Sequence, residues 1–308
     1  MPDNFLQLDK DIVFEVNNKN ETLEYDEDLD AWITVNVENE QPKATLIIDK
    51  SVALKENVDT SLVDISDLSK IKFKLVAKED ILDMSDGSVV YPKGKEIGTY
   101  NLSKDGKLKI TELPIGCYEF FECETLPCLV LNETRHEVKF TQKDTTTKVY
   151  TETREVVNDT TVIEISKQDI SGEEVEGATL QVFDENNNII DEWISSKIPH
   201  VIEGLLVDKT YRLHEEISIE GFVKATDIEF NVNNTKDVQS VVMIDKIVDV
   251  TKKDLTNDEE IEGAELIVTD EEGNIIDEWI STKEAHHVSG LEENKTYILT
   301  EKNAPYRI

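Results

Sequence analysis

Residues 176–197 read EGATLQVFDENNNIIDEWISSK and residues 262–283 read EGAELIVTDEEGNIIDEWISTK. Most positions are identical, including the DEWIS core that carries Trp193 and Trp279. The flanks match as well: IEISKQD (163–169) with VDVTKKD (248–254), and HVIEGLLVDKTYRLHE (200–215) with HHVSGLEENKTYILTE (286–301). Self-similarity at a fixed spacing is the signature of a tandem array. One unit therefore opens near residue 160 and the next near 247.

A more distant copy precedes them. ATLIIDK (44–50) is its opening strand, DGKLKITELPIGCYEFFE (105–122) aligns with the later GL and TYxL segments, and TETREVVND (151–159) closes it. It is lengthened by an insertion around Asp80–Gly98. VFEVNN (13–18) and WITVNVENEQP (32–42) have the character of closing strands from yet another copy. The expected division is 1–42 as the last strands of an upstream repeat, 43–159 as a sandwich with an insertion, 160–246 as a complete repeat, and 247–308 as the opening part of a further one. Both ends fall mid-repeat, and the expectation is a region of a longer array.

Each unit reads as β-structure. Segments of four to eight residues alternate apolar and polar side chains and are rich in Val, Ile, Thr and Tyr, as half-buried strands require. Turn residues separate them, among them Asp105-Gly106, Asn186-Asn187-Asn188 and Glu272-Gly273-Asn274. No amphipathic helix stands out, and the acidic stretch Glu21–Asp30 reads as a solvated loop. About seven short strands per repeat predict an all-β fold of tandem immunoglobulin-like sandwiches.

Composition narrows the function classes. The 308 residues hold 32 Lys and Arg against 67 Asp and Glu, a formal charge of −35. Such a chain has no basic patch to neutralise phosphates, so nucleic acid is excluded as a partner, and an anionic membrane surface is disfavoured. No apolar run approaches the length of a membrane span, and the polar MPDNFLQLDK start is no signal peptide. Cys117, Cys123 and Cys128 cluster in one stretch and do not form a disulfide framework; free thiols are expected, with a Cys123–Cys128 pair as the alternative. No Cys/His set has zinc spacing, and runs such as Asp258-Glu259-Glu260 lack the ligand spacing of a calcium loop, so no metal or cofactor is implied. His200, His286 and His287 read as exposed or edge-strand residues, His136 and His214 as isolated ones, and Trp193 and Trp279 as packing at the sheet surface or the domain junction, with a ligand platform as the alternative.

The chemistry lies in the strand rows. Side chains at i, i+2 and i+4 of a strand share a face. Ile163, Ile165 and Lys167 form one row; Val248, Val250 and Lys252 form its counterpart, as do Leu46, Ile48 and Lys50. A second row ends in a carboxylate: Tyr211, Leu213, Glu215; Tyr297, Leu299, Glu301; Tyr118, Phe120, Glu122. A third ends in the remaining group: Val241, Met243, Asp245; Val156, Asn158; Val35, Val37, Asn39. Each complete repeat thus carries a Lys, a Glu and an Asn or Asp at the ends of inward rows. Buried charges are costly unless paired. Burial lowers an amine's pKa and raises a carboxyl's, so such a lysine can attack the neighbouring side-chain carbonyl, with the Glu polarising it and moving protons. The product is an amide, formed once and within the chain. The competing reading of each set is a buried ion pair with no bond.

These segments closely resemble Gram-positive surface-protein repeats of the collagen-adhesin B type, also called SpaA-like pilin domains. That pattern is a Lys in the first strand, a GL turn, Y-x-L-x-E, often Ala-Pro, and a closing V-x-N or V-x-D. Here it is represented by TYILTEKNAP (296–305), TYRLHE (210–215) and VVMID (241–245). The resemblance implies a prealbumin-like sandwich, a crosslink joining Lys167 to Asp245 and Lys50 to Asn158, and catalytic roles for Glu215, Glu122 and Glu301. Lys252 and Asn39 are then unpaired half-sites. Glu216-Ile217-Ser218 replaces Ala-Pro after Glu215, and Tyr306 follows Pro305 directly where the pattern has Gly-Tyr. Val90-Tyr91-Pro92-Lys93 resembles part of a pilin-joining motif but reads as a turn within the insertion. The implied function is a structural stalk of an extracellular, cell-wall-bound adhesin or pilin-like protein, not an enzyme, with neighbouring repeats as partners. Two other functions fit the class: binding of a host extracellular-matrix protein such as collagen by 43–159, or an accessory module of a secreted enzyme.

Overall fold

A computed structural model describes residues 6–8, 10–12, 23–24, 32–33 and 40–304. Its described residues contain 23 strands, one 3-10 turn (Leu68–Lys70) and no α-helix. The expected all-β fold of tandem sandwiches is what the chain adopts. By contacts it separates into two units: one of residues 1–52, 65–126 and 131–158, the other of 53–64, 127–130 and 159–308.

In the first unit a four-stranded sheet has the order His136–Lys139, Cys117–Glu124, Lys72–Ala77, Glu96–Asn101, and a three-stranded sheet the order Val149–Asp159, Lys43–Ala53, Lys107–Pro114. Their alternating apolar residues supply the core: Leu46 and Ile48, Phe73 and Leu75, Leu108 and Ile110, Tyr118 and Phe120 are all buried. The Phe73 and Phe120 rings meet at 6.2 Å and 56°, a tilted pairing that suits their quadrupoles. The insertion folds as a hairpin of Ile81–Leu82 with Val89–Tyr91. Lys93 lies just past it, where its backbone N–H donates to Asp80 at 2.6 Å. Leu23–Glu24 pairs antiparallel with Trp32–Ile33, so the stretch expected to be a solvated loop contains a strand.

The second unit holds the seven strands of the 160–246 stretch. Three make the sheet His200–Glu203, Val162–Gln168, Gln239–Ile244, and four make the sheet Ile189–Ile194, Thr179–Phe183, Thr210–Ile217, Ile228–Asn231. Ile163, Ile165 and Met243 from the first interleave with Leu180, Val182, Tyr211 and Leu213 from the second. The opening strand pairs with the closing strand in parallel, Lys167 opposite Met243. The same unit includes the sheet Ile275–Ile280, Glu265–Asp270, Tyr297–Asn303 and the pair Asp249–Val250 with His286–His287.

Residues 53–64 lie within this second unit. Leu62 packs against its core cluster, and buried Glu203 accepts the Lys55 N–H at 3.0 Å and the Thr160 hydroxyl at 2.5 Å. In the aligned repeat Ser289 stands where Glu203 stands, and its hydroxyl accepts the Gly221 N–H at 3.0 Å. Contacts between the 160–246 and 247–308 stretches continue through Lys224, which donates to Leu291 O at 2.8 Å and accepts from Glu293 N at 3.1 Å. The Glu293 carboxylate takes Lys246 at 2.5 Å and the Thr226 N–H at 3.0 Å. The Lys246 hydrogen bond and then that of Thr226 hold this carboxyl down at about 2.

Gly204 has φ +91, and a Cβ there would lie 2.6 Å from Val63 Cγ2 and 3.2 Å from the Leu62 carbonyl carbon. Gly204→Ala is therefore expected to destabilise this unit by about 1–3 kcal/mol and to release residues 53–64. Denaturant unfolding combined with limited proteolysis of that segment checks it; an unchanged midpoint and an uncut segment would contradict it.

Candidate functional site: two buried lysine centres

In the first unit the three rows end together. Lys50 comes from Lys43–Ala53, Glu122 from Cys117–Glu124 and Asn158 from Val149–Asp159. All three are buried. Lys50 Nζ donates to Asn158 Oδ1 and lies 3.1 Å from Glu122 Oε2. Asn158 Nδ2 donates to Glu122 Oε1 at 2.7 Å and to Thr125 Oγ1 at 3.0 Å. One oxygen of Glu122 thus faces the amine, and the other faces the carboxamide nitrogen. His136 stacks on Phe120 at 5.1 Å and 20°. Burial, and then the charge of Lys50, depress its pKa.

The second unit repeats the arrangement with Lys167, Glu215 and Asp245, each at most 2% exposed. Lys167 Nζ contacts Asp245 Oδ1 and lies 3.0 Å from Glu215 Oε1. Glu215 Oε2 accepts the Ala225 N–H at 2.6 Å, while Asp245 Oδ2 has no hydrogen-bond partner among the described residues. One cation here faces two carboxyls. Burial pushes the Asp245 carboxyl up to about 6, against the opposing hydrogen bond and charge of Lys167.

The remaining half-site is different. Lys252 Nζ meets Glu301 Oε2 at 2.9 Å, but the side chains are 29% and 34% exposed, and Leu299 of the same row is 50% exposed. Asn39 lies outside the described residues.

A bulge sits beside the Glu in every copy. Leu180 pairs with Glu215 but Thr179 with Ile217, Phe73 with Glu122 but Lys72 with Glu124, and Leu266 with Glu301 but Glu265 with Asn303. A bulge breaks the two-residue period and re-aims the side chains around it. It keeps Glu122 and Glu215 facing inward while the chain beyond them turns out.

The sequence reading did not find Thr125 or the Ala225 N–H, because both come from loops with no strand period. It also missed a recurrent cluster. His200 stacks on Trp193 at 4.1 Å and bonds Asp191 at 2.7 Å; His286 stacks on Trp279 at 4.1 Å and bonds Asp277 at 2.8 Å. The shared spacing of these residues in the two copies was the available signal. His287 bonds Asp249 and His214 bonds Asp227. All three cysteines are free thiols, with Cys123 exposed. Among the described residues no cluster of His, Cys, Asp and Glu has metal-binding geometry, and no helix is long and apolar enough to cross a membrane.

Small prealbumin-like sandwiches, two of them with a buried lysine on the opening strand beside the closing strand, define the class. The SpaA prealbumin-like fold domain family matches residues 58–155, 161–247 and 246–307, and the chain belongs to that family. No curated protein matches the chain. Solved structures similar to it include the Bacillus anthracis TIE protein, at 18% identity over 87% of this chain and 47% of that one, TM-score 0.39. Others are shaft pilin SpaA from Lactobacillus rhamnosus GG (14%, covering 66% and 97%, TM-score 0.27) and the Streptococcal ancillary pilin (20%, covering 79% and 74%, TM-score 0.30). The chain spans about half the length of the TIE protein.

The exposure difference sets an expectation. Lys167→Met leaves two carboxyls buried without their cation and should destabilise by about 3–5 kcal/mol. Lys252→Met removes a half-exposed pair and should change stability by no more than about 1 kcal/mol. Urea unfolding of the two variants gives the comparison; similar losses would contradict it.

Proposed function

We propose that this chain is a load-bearing stalk region of a cell-surface adhesin or pilin-like protein. Its repeats, divided as 43–159, 160–246 and 247–308, lock themselves with amide bonds between Lys50 and Asn158 and between Lys167 and Asp245. The observation that carries this reading is that two separate buried centres hold a lysine Nζ against the acceptor's Oδ1 with a glutamate on its other side.

In the Asn centre, Nζ bonds to Cγ of Asn158 and the Cγ–Nδ2 bond breaks. Glu122 accepts a proton from Nζ through Oε2 and delivers one to Nδ2 through Oε1, so ammonia leaves. Held at contact distance, the two groups react without the entropy cost of meeting. In the Asp centre, Nζ bonds to Cγ of the protonated Asp245 carboxyl and the Cγ–OH bond breaks. Glu215 delivers its proton to the departing hydroxyl, which leaves as water, and takes the amine proton in its place.

The two centres differ in proton inventory. A neutral Lys50 with a protonated Glu122 carries the same number of protons as the ion pair, so the Asn centre needs none from solvent. A neutral Lys167 with both carboxyls protonated carries one proton more than the fully ionised set. The supply of that form falls as pH rises through the raised Asp245 value of about 6.

Each amide closes a long loop, 108 residues apart in the first unit and 78 in the second. On the chain-entropy estimate each bond is worth about 4.5–5 kcal/mol.

Intact mass is the direct test: about 17 Da lost for the Asn bond and about 18 Da for the Asp bond, as intramolecular condensation demands. An unmodified mass would overturn the crosslink reading. Lys167→Ala should abolish the second loss alone.

The rate of Lys167–Asp245 linkage should fall about tenfold per pH unit above 6, while Lys50–Asn158 linkage stays flat over the same range. Asp245→Asn should remove that dependence. Time courses of linked-peptide mass at pH 5 to 8 measure this, and parallel profiles for the two bonds would refute the proton count.

A further inference from the structure

A carboxamide has two unlike ends, and a half-turn about Cβ–Cγ exchanges them. In the Asn158 centre only one orientation is productive. Oδ1 must face Lys50, and Nδ2, the leaving group, must face the oxygen that delivers its proton. Lys50 sets the orientation while it is an ammonium, which can only donate and so takes Oδ1. The neutral amine that attacks can also accept, and a protonated Glu122 can donate as well as accept, so in the reactive form a further contact at the leaving-group end holds the carboxamide as the ion pair placed it. Thr125 Oγ1 makes that contact, at 3.0 Å from Nδ2, with Glu122 Oε1 at 2.7 Å.

We propose that Thr125 is a positioning residue for amide formation, holding the Asn158 carboxamide with its nitrogen toward Glu122. This rests on the reading of the repeat as self-crosslinking. In the step it serves, the Nζ–Cγ bond forms, the Cγ–Nδ2 bond breaks, and Glu122 carries the proton from Nζ to Nδ2. Thr125 neither gains nor loses a proton.

The other centre supports the assignment by contrast. A carboxyl group has two oxygens, either of which can leave, so there is no wrong end to exclude. No hydroxyl is hydrogen-bonded to Asp245 or Glu215 among the described residues: Glu215 Oε2 takes the Ala225 N–H, and Asp245 Oδ2 has no hydrogen-bond partner. Thr125 lies in ECETLP, three residues past Glu122 and beyond the bulge, where the strand has ended.

The full chain is made by cell-free synthesis, quenched at intervals, and digested, and the Lys50–Asn158 and Lys167–Asp245 linked peptides are quantified by mass. Thr125→Val should slow the first linkage roughly tenfold or more, as loss of reactive alignment does, and leave the second unchanged. Thr125→Ser should restore the wild-type rate. In a Lys50→Arg background, where no bond closes, Thr125→Val should leave the unfolding midpoint where Lys50→Arg alone puts it. Equal linkage rates in wild type and Thr125→Val would overturn the proposal. So would slowing of both linkages together, or a fall in the midpoint of the bond-free background, because each marks damage to the fold instead of a turned carboxamide. Absence of the Lys50–Asn158 peptide from the wild type itself would remove the crosslink reading, an outcome separate from any effect of Thr125.

Discussion

A lysine ammonium held between two sheets, at 2% exposure or less in the second unit, is the constraint around which each repeat is arranged. A cation in that position is tolerated only if oppositely charged and hydrogen-bonding groups surround it. They come from three strands far apart in sequence: the opening strand brings the Lys, the strand after the GL turn brings the Glu, and the closing strand brings the acceptor. Sheet order follows. Opening and closing strands must be neighbours in one sheet, and the Glu strand must lie in the other, facing them. That is the order in both complete repeats.

The acceptor then sets the charge of the centre. Asn158 leaves Lys50 and Glu122 as a neutral pair. Asp245 adds a second carboxyl, and the protein answers by raising that carboxyl's pKa through burial. The third copy shows what burial contributes. Lys252 and Glu301 occupy the same places in the repeat and lie at nearly the same distance, 2.9 Å, yet both are partly exposed. With water present the pair is a surface ion pair with little consequence. Identical residues therefore behave differently according to how far water reaches them.

Strand rows were legible in the sequence because a period of two fixes faces without further information. Lys167, Ile165 and Ile163 could be placed on one face from their numbers alone, and the internal repeat confirmed the frame. The charge state of the Asp centre was not legible, since it depends on the depth at which Asp245 is buried. Nor was the bulge at each Glu, which turns on one unpaired residue: Glu216, Cys123 or Lys302. Alternation drawn straight through the bulge would place Ile217 on the inward face, yet it is 59% exposed. Thr125 and Ala225 sit on loops, where contacts follow the path of the chain and no strand period foretells them; the His–Trp stacks cross from one sheet edge to another, and only their recurrence in two copies marks them.

Parallel pairing of the opening and closing strands gives the proposed bond its mechanical meaning. Val162–Gln168 and Gln239–Ile244 run in the same direction, so tension on the two ends of the repeat shears one strand along the other. Every ladder hydrogen bond between them would then share the load, and failure of that set would open the core behind it. Lys167 and Asp245 lie at the far end of this pair, beyond the last apolar residues of each row. With an amide there, tension entering along the opening strand crosses at Lys167 and leaves at Asp245. The residues between them, including Glu215 and both faces of the core, carry none of it. The same residue positions that make the lysine hardest to leave as a bare cation are those at which a covalent bond removes the whole sandwich from the line of force.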